Sequence, residues 1–279
     1  MEMDLQEVQT FAIGIAEQAG EIVCKKRLEA KLSHEFKHGN ELVTNADLAA
    51  DKFISEEISK RYGSHLILSE ELSPDIGNLQ EIQESVWIVD PIDGTVNFAH
   101  GHNQSAVSIA FVEQQQVKIG VVYNPFTKEM FSALKGGGAF LNDSPIRIAN
   151  EPALDRAIIA TGFPYEKSNL EPMIQRLRVV LHHCADIRRL GSAALDICWV
   201  AAGRLDGYYE SLCIWDFAAA RLIAKEAGAE CGHFSDVPEG IDPQFHPDDL
   251  LIANPVLYPE LKRILGSAVE KETPLKSLG

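Results

Sequence analysis

The sequence predicts an α+β half up to about residue 150, joined to an α/β half that runs to residue 279. Three observations carry this. Near the N-terminus, apolar residues recur at helical spacing: Leu5, Val8, Ala12, Ile15, Ala16, Ala19, Ile22 and Val23. Residues 105–125 and 129–148 alternate in the manner of antiparallel strands. Beyond about residue 150, apolar strands alternate with helical segments, the pattern of an α/β layer.

Taken in order, residues 5–31 read as a helix, and the polar, glycine-containing run Lys37–Glu41 reads as a break. A second helix is expected from about Asp47 to Lys60. His65–Glu71 reads as a strand ending in two acids. Val86–Thr95 reads as a strand running into a turn, because Pro91 and Gly94 cannot sit inside a ladder. Gly136–Gly138 lacks the Lys-Ser/Thr of a phosphate-binding P-loop and reads as a hairpin connector, with Asn142-Asp143 as the next turn. The strand Arg156–Phe163 then alternates with helices at Met173–Cys184, Ser192–Gly203 and Trp215–Gly228. Val269–Gly279 is polar and reads as a frayed tail.

Composition narrows the function. The chain has 279 residues, 46% of them hydrophobic, enough for a substantial core. No apolar run approaches the roughly 20 residues of a membrane span. The acidic, amphipathic start lacks the basic flank and continuous apolar run of a secretory signal, so a cytoplasmic location is expected. Cysteines at 24, 184, 198, 213 and 231 are odd in number and form no C-x-x-C pair, which fits reduced thiols rather than disulfides or a zinc site. The formal net charge of −16 argues against nucleic acid or anionic lipid as partners, since both need basic footprints.

The residues that point to chemistry are acidic. Asp90 and Asp93 flank Pro91-Ile92 at the mouth of the apolar strand from Trp87, with Gly94-Thr95 following. Two carboxylates at this spacing suit a pair of metal ions bridged by one aspartate, and they also suit a turn in which each Asp caps backbone amides. Glu70-Glu71 ends an apolar strand. Asp216, in Trp215-Asp216-Phe217-Ala218-Ala219-Ala220, opens a helix, where it serves either as an N-cap or as a further metal ligand. Trp87 and Trp215 are candidates to wall the site. His100 and His102 are set in a loop flanked by Gly and Asn, and His182-His183 face apart on a helix, so neither pair reads as a metal site.

Together the D-P-I-D-G-T run, the later W-D-x-A-A run ending in E-A-G, and the upstream E-E pair resemble the signatures of the inositol monophosphatase family. The resemblance extends to Leu42–Asp47, Asn97–Gly101 and Arg189–Ala194 and covers about residues 10–265. It implies a layered αβαβα sandwich with the active site between the halves, a homodimer, lithium sensitivity, and hydrolysis of a small phosphate monoester. It implies that Glu70, Asp90, Asp93, Asp216 and the Ile92 carbonyl hold two or three Mg²⁺ ions, with Mn²⁺ as a substitute. All-oxygen ligands favour such hard cations over zinc. It further implies that Glu70 and Thr95, with Asp47 behind Thr95, orient the attacking water. The amides of Gly94 and Thr95 would hold the phosphate, and Asp93, Gly191, Ser192, Ala193, Glu210 and Asp216 would meet the substrate. Two positions depart from the family pattern. Glu210 lies six residues before Asp216, where the family spaces the acid by seven, and Lys37 and Glu41 replace the usual K…D-x-V-T arrangement, leaving Glu41 to serve a third ion through water. The segments around Arg188–Asp196 and Ala201–Glu210 look most like the bacterial inositol-phosphatase branch. Histidinol phosphate, fructose 1,6-bisphosphate and 3′-phosphoadenosine 5′-phosphate remain alternative substrates on related folds. A non-catalytic binding role is the other class of reading, since some bacterial relatives bind transcription machinery.

Overall fold

The structure is a computed structural model that describes residues 3–29, 34–37, 41–164 and 167–268. The expected frayed tail, and the side chains of Lys37 and Glu41, lie outside that description.

Helix α1 (Leu5–Leu28) starts where Asp4 accepts a hydrogen bond from Gln6 N at 2.9 Å, and lysine and arginine fill its last turn. A short antiparallel hairpin follows, β1 (His34–Lys37) with β2 (Glu41–Thr44). The sequence pattern shows only a break there, because strands this short carry too little alternation to register. Helix α2 (Asn45–Arg61) opens with Thr44 and Asp47 capping each other's backbone.

A seven-stranded sheet comes next: β3 (Leu66–Ser69), β4 (Val86–Asp93), then, after the short helix α3 (Thr95–Ala99), β5 (Ala106–Glu113), β6 (Gln116–Asn124), β7 (Glu129–Leu134), β8 (Gly138–Leu141) and β9 (Ser144–Pro145). Its strands lie in sequence order; only β3 and β4 are parallel. Pro91 and Asp93 belong to β4 after all. The ladder with β5 shifts register between Asp90 and Asp93, and this bulge accommodates the residue that cannot donate.

The second sheet holds β10 (Ile158–Thr161), β11 (Asp186–Arg188), β12 (Gly207–Glu210), β13 (Glu230–His233) and β14 (Leu250–Ala253), in the order β11-β10-β12-β14-β13. Strands β10, β11 and β12 are parallel, as expected of an α/β layer. β14 pairs antiparallel with both β12 and β13. Four helices accompany this sheet: α4 (Glu171–His183), α5 (Ala193–Ala201), α6 (Ile214–Glu226) and α7 (Tyr258–Ser267).

The result is the layered αβαβα sandwich. Helices α1 and α2 cover one face of the first sheet, α5 and α6 fill the space between the sheets, and α4 and α7 cover the outer face of the second. Strand β5 shows the consequence. Val107, Ile109 and Phe111 pack toward α1 and α2, while Ala106, Ala110 and Val112 pack toward α5 and α6, so nearly the whole strand is buried. Trp87 corrects an expectation: it is fully buried among Phe11, Tyr62 and Phe111, on the α1/α2 side of the sheet, because alternation along β4 turns it away from the cleft. Between the sheets, α6 comes so close to β6 that a Cβ on Gly120 would collide with the Ala219 carbonyl oxygen.

Candidate active site

The bulge at the end of β4 sets the first two carboxylates. Asp90 Oδ1 accepts from Ile92 N at 2.9 Å, which folds the strand end back on itself. Gly94 follows at φ 91°, in the left-handed region that favours glycine, and caps α3. A Cβ there would stand 2.7 Å from the Gln104 carbonyl and 3.0 Å from that of Gly191, so no larger residue fits. Thr95 Oγ1 lies 3.0 Å from both Asp47 Oδ1 and the Ile92 carbonyl. Asp47 is itself fixed by Thr44, whose N and Oγ1 donate to its other oxygen at 2.9 and 2.5 Å. The capping box of α2 thus doubles as the anchor of Thr95.

Asp216 reaches the same place from the other sheet's connections. It is the third residue of α6, and its Oδ2 accepts from Cys213 N at 2.9 Å. The N-cap is Cys213 rather than Asp216, which stands three residues on and closes the capping box from inside the helix, while its carboxylate also faces Asp90 and Asp93. One oxygen of each of these three residues lies within 4.8 Å of the others, a spacing that can hold a metal ion. Glu70, just past β3, stands beside Asp90, and its N donates to the Val89 carbonyl at 3.2 Å.

These carboxylates press on one another. Burial, then the nearby Glu70, Asp93 and Asp216, push Asp90 well above the usual carboxylate range. Burial and the neighbouring Asp93 do the same to Asp216. Asp93 rises only to about 6: burial raises it, while the Ser192 hydroxyl and the Ala193 and Ala194 amides hold it down. Those three groups lie 2.5, 3.3 and 2.8 Å from its oxygens. The start of α5 thus grips Asp93 across the gap between the sheets. A divalent cation would remove the repulsion that remains, and an all-oxygen set that includes the Ile92 carbonyl suits a hard one.

The remaining expected residues line the same cleft, of about 490 Å³: Gly94, Thr95, Gly191, Ser192, Ala193 and Glu210. Glu210 ends β12, and its carboxylate occupies the space a side chain on Gly162 would need. The Tyr208 hydroxyl donates to it, and burial pushes its carboxyl up to about 7. The shortened spacing to Asp216 therefore still leaves Glu210 on the cleft wall. Trp215 also lines the cleft, as expected.

Three residues were not singled out from the sequence. Asp51, buried on α2, accepts from the amides of Glu71 and Leu72 at 3.1 Å each and so fixes the turn that carries Glu70. Its signal was an acid on the apolar face of a predicted helix. Asn97 donates to the Gln104 and Leu190 carbonyls at 2.8 and 2.7 Å, tying α3 to the loop before α5. Asp196 is buried on α5 and reaches the cleft from behind Ser192.

The site is a buried oxygen-rich cluster, fed from two sheets beside a glycine-capped turn, that could hold a metal ion at the wall of a cleft. A sequence profile of the inositol monophosphatase family matches residues 4–273, and the chain belongs to that family, a family of phosphatases. It is 42% identical over 221 residues to the Nus factor SuhB of Pasteurella multocida, spanning 78% of this chain and 82% of that one. Among solved structures, the extragenic suppressor protein suhB of Bartonella henselae superposes with a TM-score of 0.84 at 37% identity, covering 93% of this chain and 98% of that one. The Thermotoga maritima IMPase superposes with a TM-score of 0.82 at 31% identity, covering 95% and 98%. Among the described residues, no helix is long and apolar enough to cross a membrane.

Proposed function

We propose that this protein hydrolyses a phosphate monoester of a small polyol or sugar, with inositol monophosphate the foremost candidate, using magnesium at the Asp90–Asp93–Asp216 cluster. The convergence of those three carboxylates within 4.8 Å carries the reading, since a bound cation relieves the repulsion that otherwise drives protons onto them. Glu70, Asp90 and the Ile92 carbonyl would hold one ion, and Asp90, Asp93 and Asp216 a second. Such ions acidify a water and neutralise charge on the leaving oxygen. The chain's own residues do the positioning. Glu70 and Thr95 hold the water in line, with Asp47 fixing the Thr95 hydroxyl. The amides at Gly94 and Thr95 receive the phosphate, and Glu210 receives the alcohol. No covalent intermediate is required, because positioning and electrostatics carry most of phosphoryl transfer.

The test is a panel of inositol monophosphate, histidinol phosphate, fructose 1,6-bisphosphate and 3′-phosphoadenosine 5′-phosphate, assayed for magnesium-dependent phosphate release. Release from none of them rejects the proposal.

The name Nus factor on a relative 42% identical favours a second role, as a binding partner in transcription. Capture of a macromolecular partner that survives loss of the cation cluster would support that role. The homodimer expected from the family is checked by the mass of the protein in solution.

A further inference from the structure

Asp196 is an anomaly in an otherwise well-bonded site. It sits one turn into α5, with its amide donating to the Ser192 carbonyl at 3.0 Å, so its place on the helix is fixed. The residue is 2% exposed, and among the described residues its buried Oδ1 has no hydrogen-bond partner. Carboxylates this deep in a folded chain are paired as a rule. The hydroxyl and amide donors around it are spent elsewhere. The Tyr208 hydroxyl goes to Glu210, and the Ser192 hydroxyl and the first amides of α5 go to Asp93. The Arg189 guanidinium lies over the Phe163 ring, 5.3 Å from its centroid, and reaches Asp196 through its charge without a hydrogen bond among the described residues. Yet Asp196 lines the cleft together with Tyr208 and Glu210.

We propose that Asp196 is a specificity-determining residue, whose cleft-lining carboxyl takes a hydroxyl of the substrate's carbon skeleton beside the one met by Glu210. The inference rests on the phosphatase reading above and narrows it to substrates with neighbouring hydroxyls. Burial, then the nearby Asp93 and Glu210, raise Asp196 well above the usual carboxylate range, against the opposing Arg189 charge, and so favour its neutral form. A neutral carboxyl both donates and accepts, as a hydroxyl does, so the two satisfy each other. An ammonium would instead want a charged carboxylate.

The test compares the wild-type protein with Asp196→Ala and Asp196→Asn. Each is assayed with magnesium on inositol 1-phosphate, on histidinol phosphate, and on p-nitrophenyl phosphate, which has no alcohol hydroxyl. Thermal unfolding establishes that each variant folds, and calorimetry measures binding of free inositol. Asp196→Ala is expected to raise KM for inositol 1-phosphate about 10-fold relative to p-nitrophenyl phosphate, the size expected for losing a buried hydrogen bond. Asp196→Asn, which keeps a donor and an acceptor, should restore most of the loss. Equal losses on both esters, or no change on either, overturn the proposal. A KM increase confined to histidinol phosphate, with no rescue by Asn, assigns Asp196 to an ammonium and overturns it as well. If wild-type protein releases phosphate from no ester, the phosphatase reading fails by itself. Calorimetry then still decides: inositol binding weakened about 10-fold by Asp196→Ala supports the assignment, and unchanged binding overturns it.

Discussion

The two ends of the cleft are built differently. At the cation end, the chain holds its own acids in place. Asp90 takes the Ile92 amide, Asp93 takes three donors from the start of α5, Asp216 takes the Cys213 amide, and Asp47 takes Thr44 and Thr95. At the other wall the acids have fewer hydrogen bonds among the described residues: Glu210 takes the Tyr208 hydroxyl, Asp196 Oδ1 has no partner, and the Arg189 charge acts on both. The first end is organised by the protein's own donors, and under the proposals above the second is left for substrate to complete. The common chemistry of a family would reside in the first and the choice of substrate in the second.

This contrast breaks most visibly at Asp93. Asp93→Asn should lower magnesium-dependent kcat/KM by about 10³-fold, equivalent to about 4 kcal/mol of transition-state stabilisation. The fold should persist, since an amide oxygen can still meet the α5 donors. Phosphate-release assays check it, and unchanged turnover would reject the cation assignment.

Next in size is removal of divalent ions. A chelator should lower Tm by about 5–10 °C, and magnesium should restore it. The effect has a defined pH sense. Asp90, Asp93 and Asp216 are all raised in the native state, so the cation-free native chain keeps protons that the unfolded chain has lost. Its stability therefore falls as pH rises from about 4 through about 6, the Asp93 value, and beyond. The stabilisation by magnesium should be larger at pH 8 than at pH 5, as melting curves would show.

The far wall gives a smaller effect. Glu210 has an ordinary value of 4.5 and is raised to about 7 by burial. The native state again binds the extra proton, so this group's contribution is full below 4.5 and is lost as pH rises through 7. Glu210→Gln should remove that loss. In chelator, the variant should gain on the order of 2 kcal/mol on wild type between pH 5 and pH 8. Parallel pH–stability curves for the two proteins would contradict it.

Smallest is Thr44→Ala. It deletes a helix cap worth about 1 kcal/mol and frees the residue that anchors Thr95. Stability should fall by about that amount, measured by denaturant titration, with kcat reduced about 3-fold rather than abolished.

The cation end was legible in the sequence because its residues sit in short, contiguous runs. Asp90, Ile92, Asp93, Gly94 and Thr95 share one strand end, and Asp216 opens a helix whose start is visible from composition. The layers were legible from helical and alternating periods. What escaped depends on contacts between distant segments. Asp51 acts on a turn twenty residues on, and Asp196 matters because of what surrounds it after α5 packs against β12. Pro91 within β4 and Trp87 facing α1 were misjudged for a related reason. A bulge and a strand's facing are settled by the partner strand, which local propensity does not see.

Gly120 gives the cleft its fixed gauge. Where α6 comes nearest β6, Ala219 meets a residue with no side chain, so no rotamer lies at that point of the contact to flex. Asp216 rides on that helix, and Asp90 on a strand of the same sheet. The opening between them is therefore gauged in part by two main chains, through a glycine about a hundred residues from Asp216 along the chain.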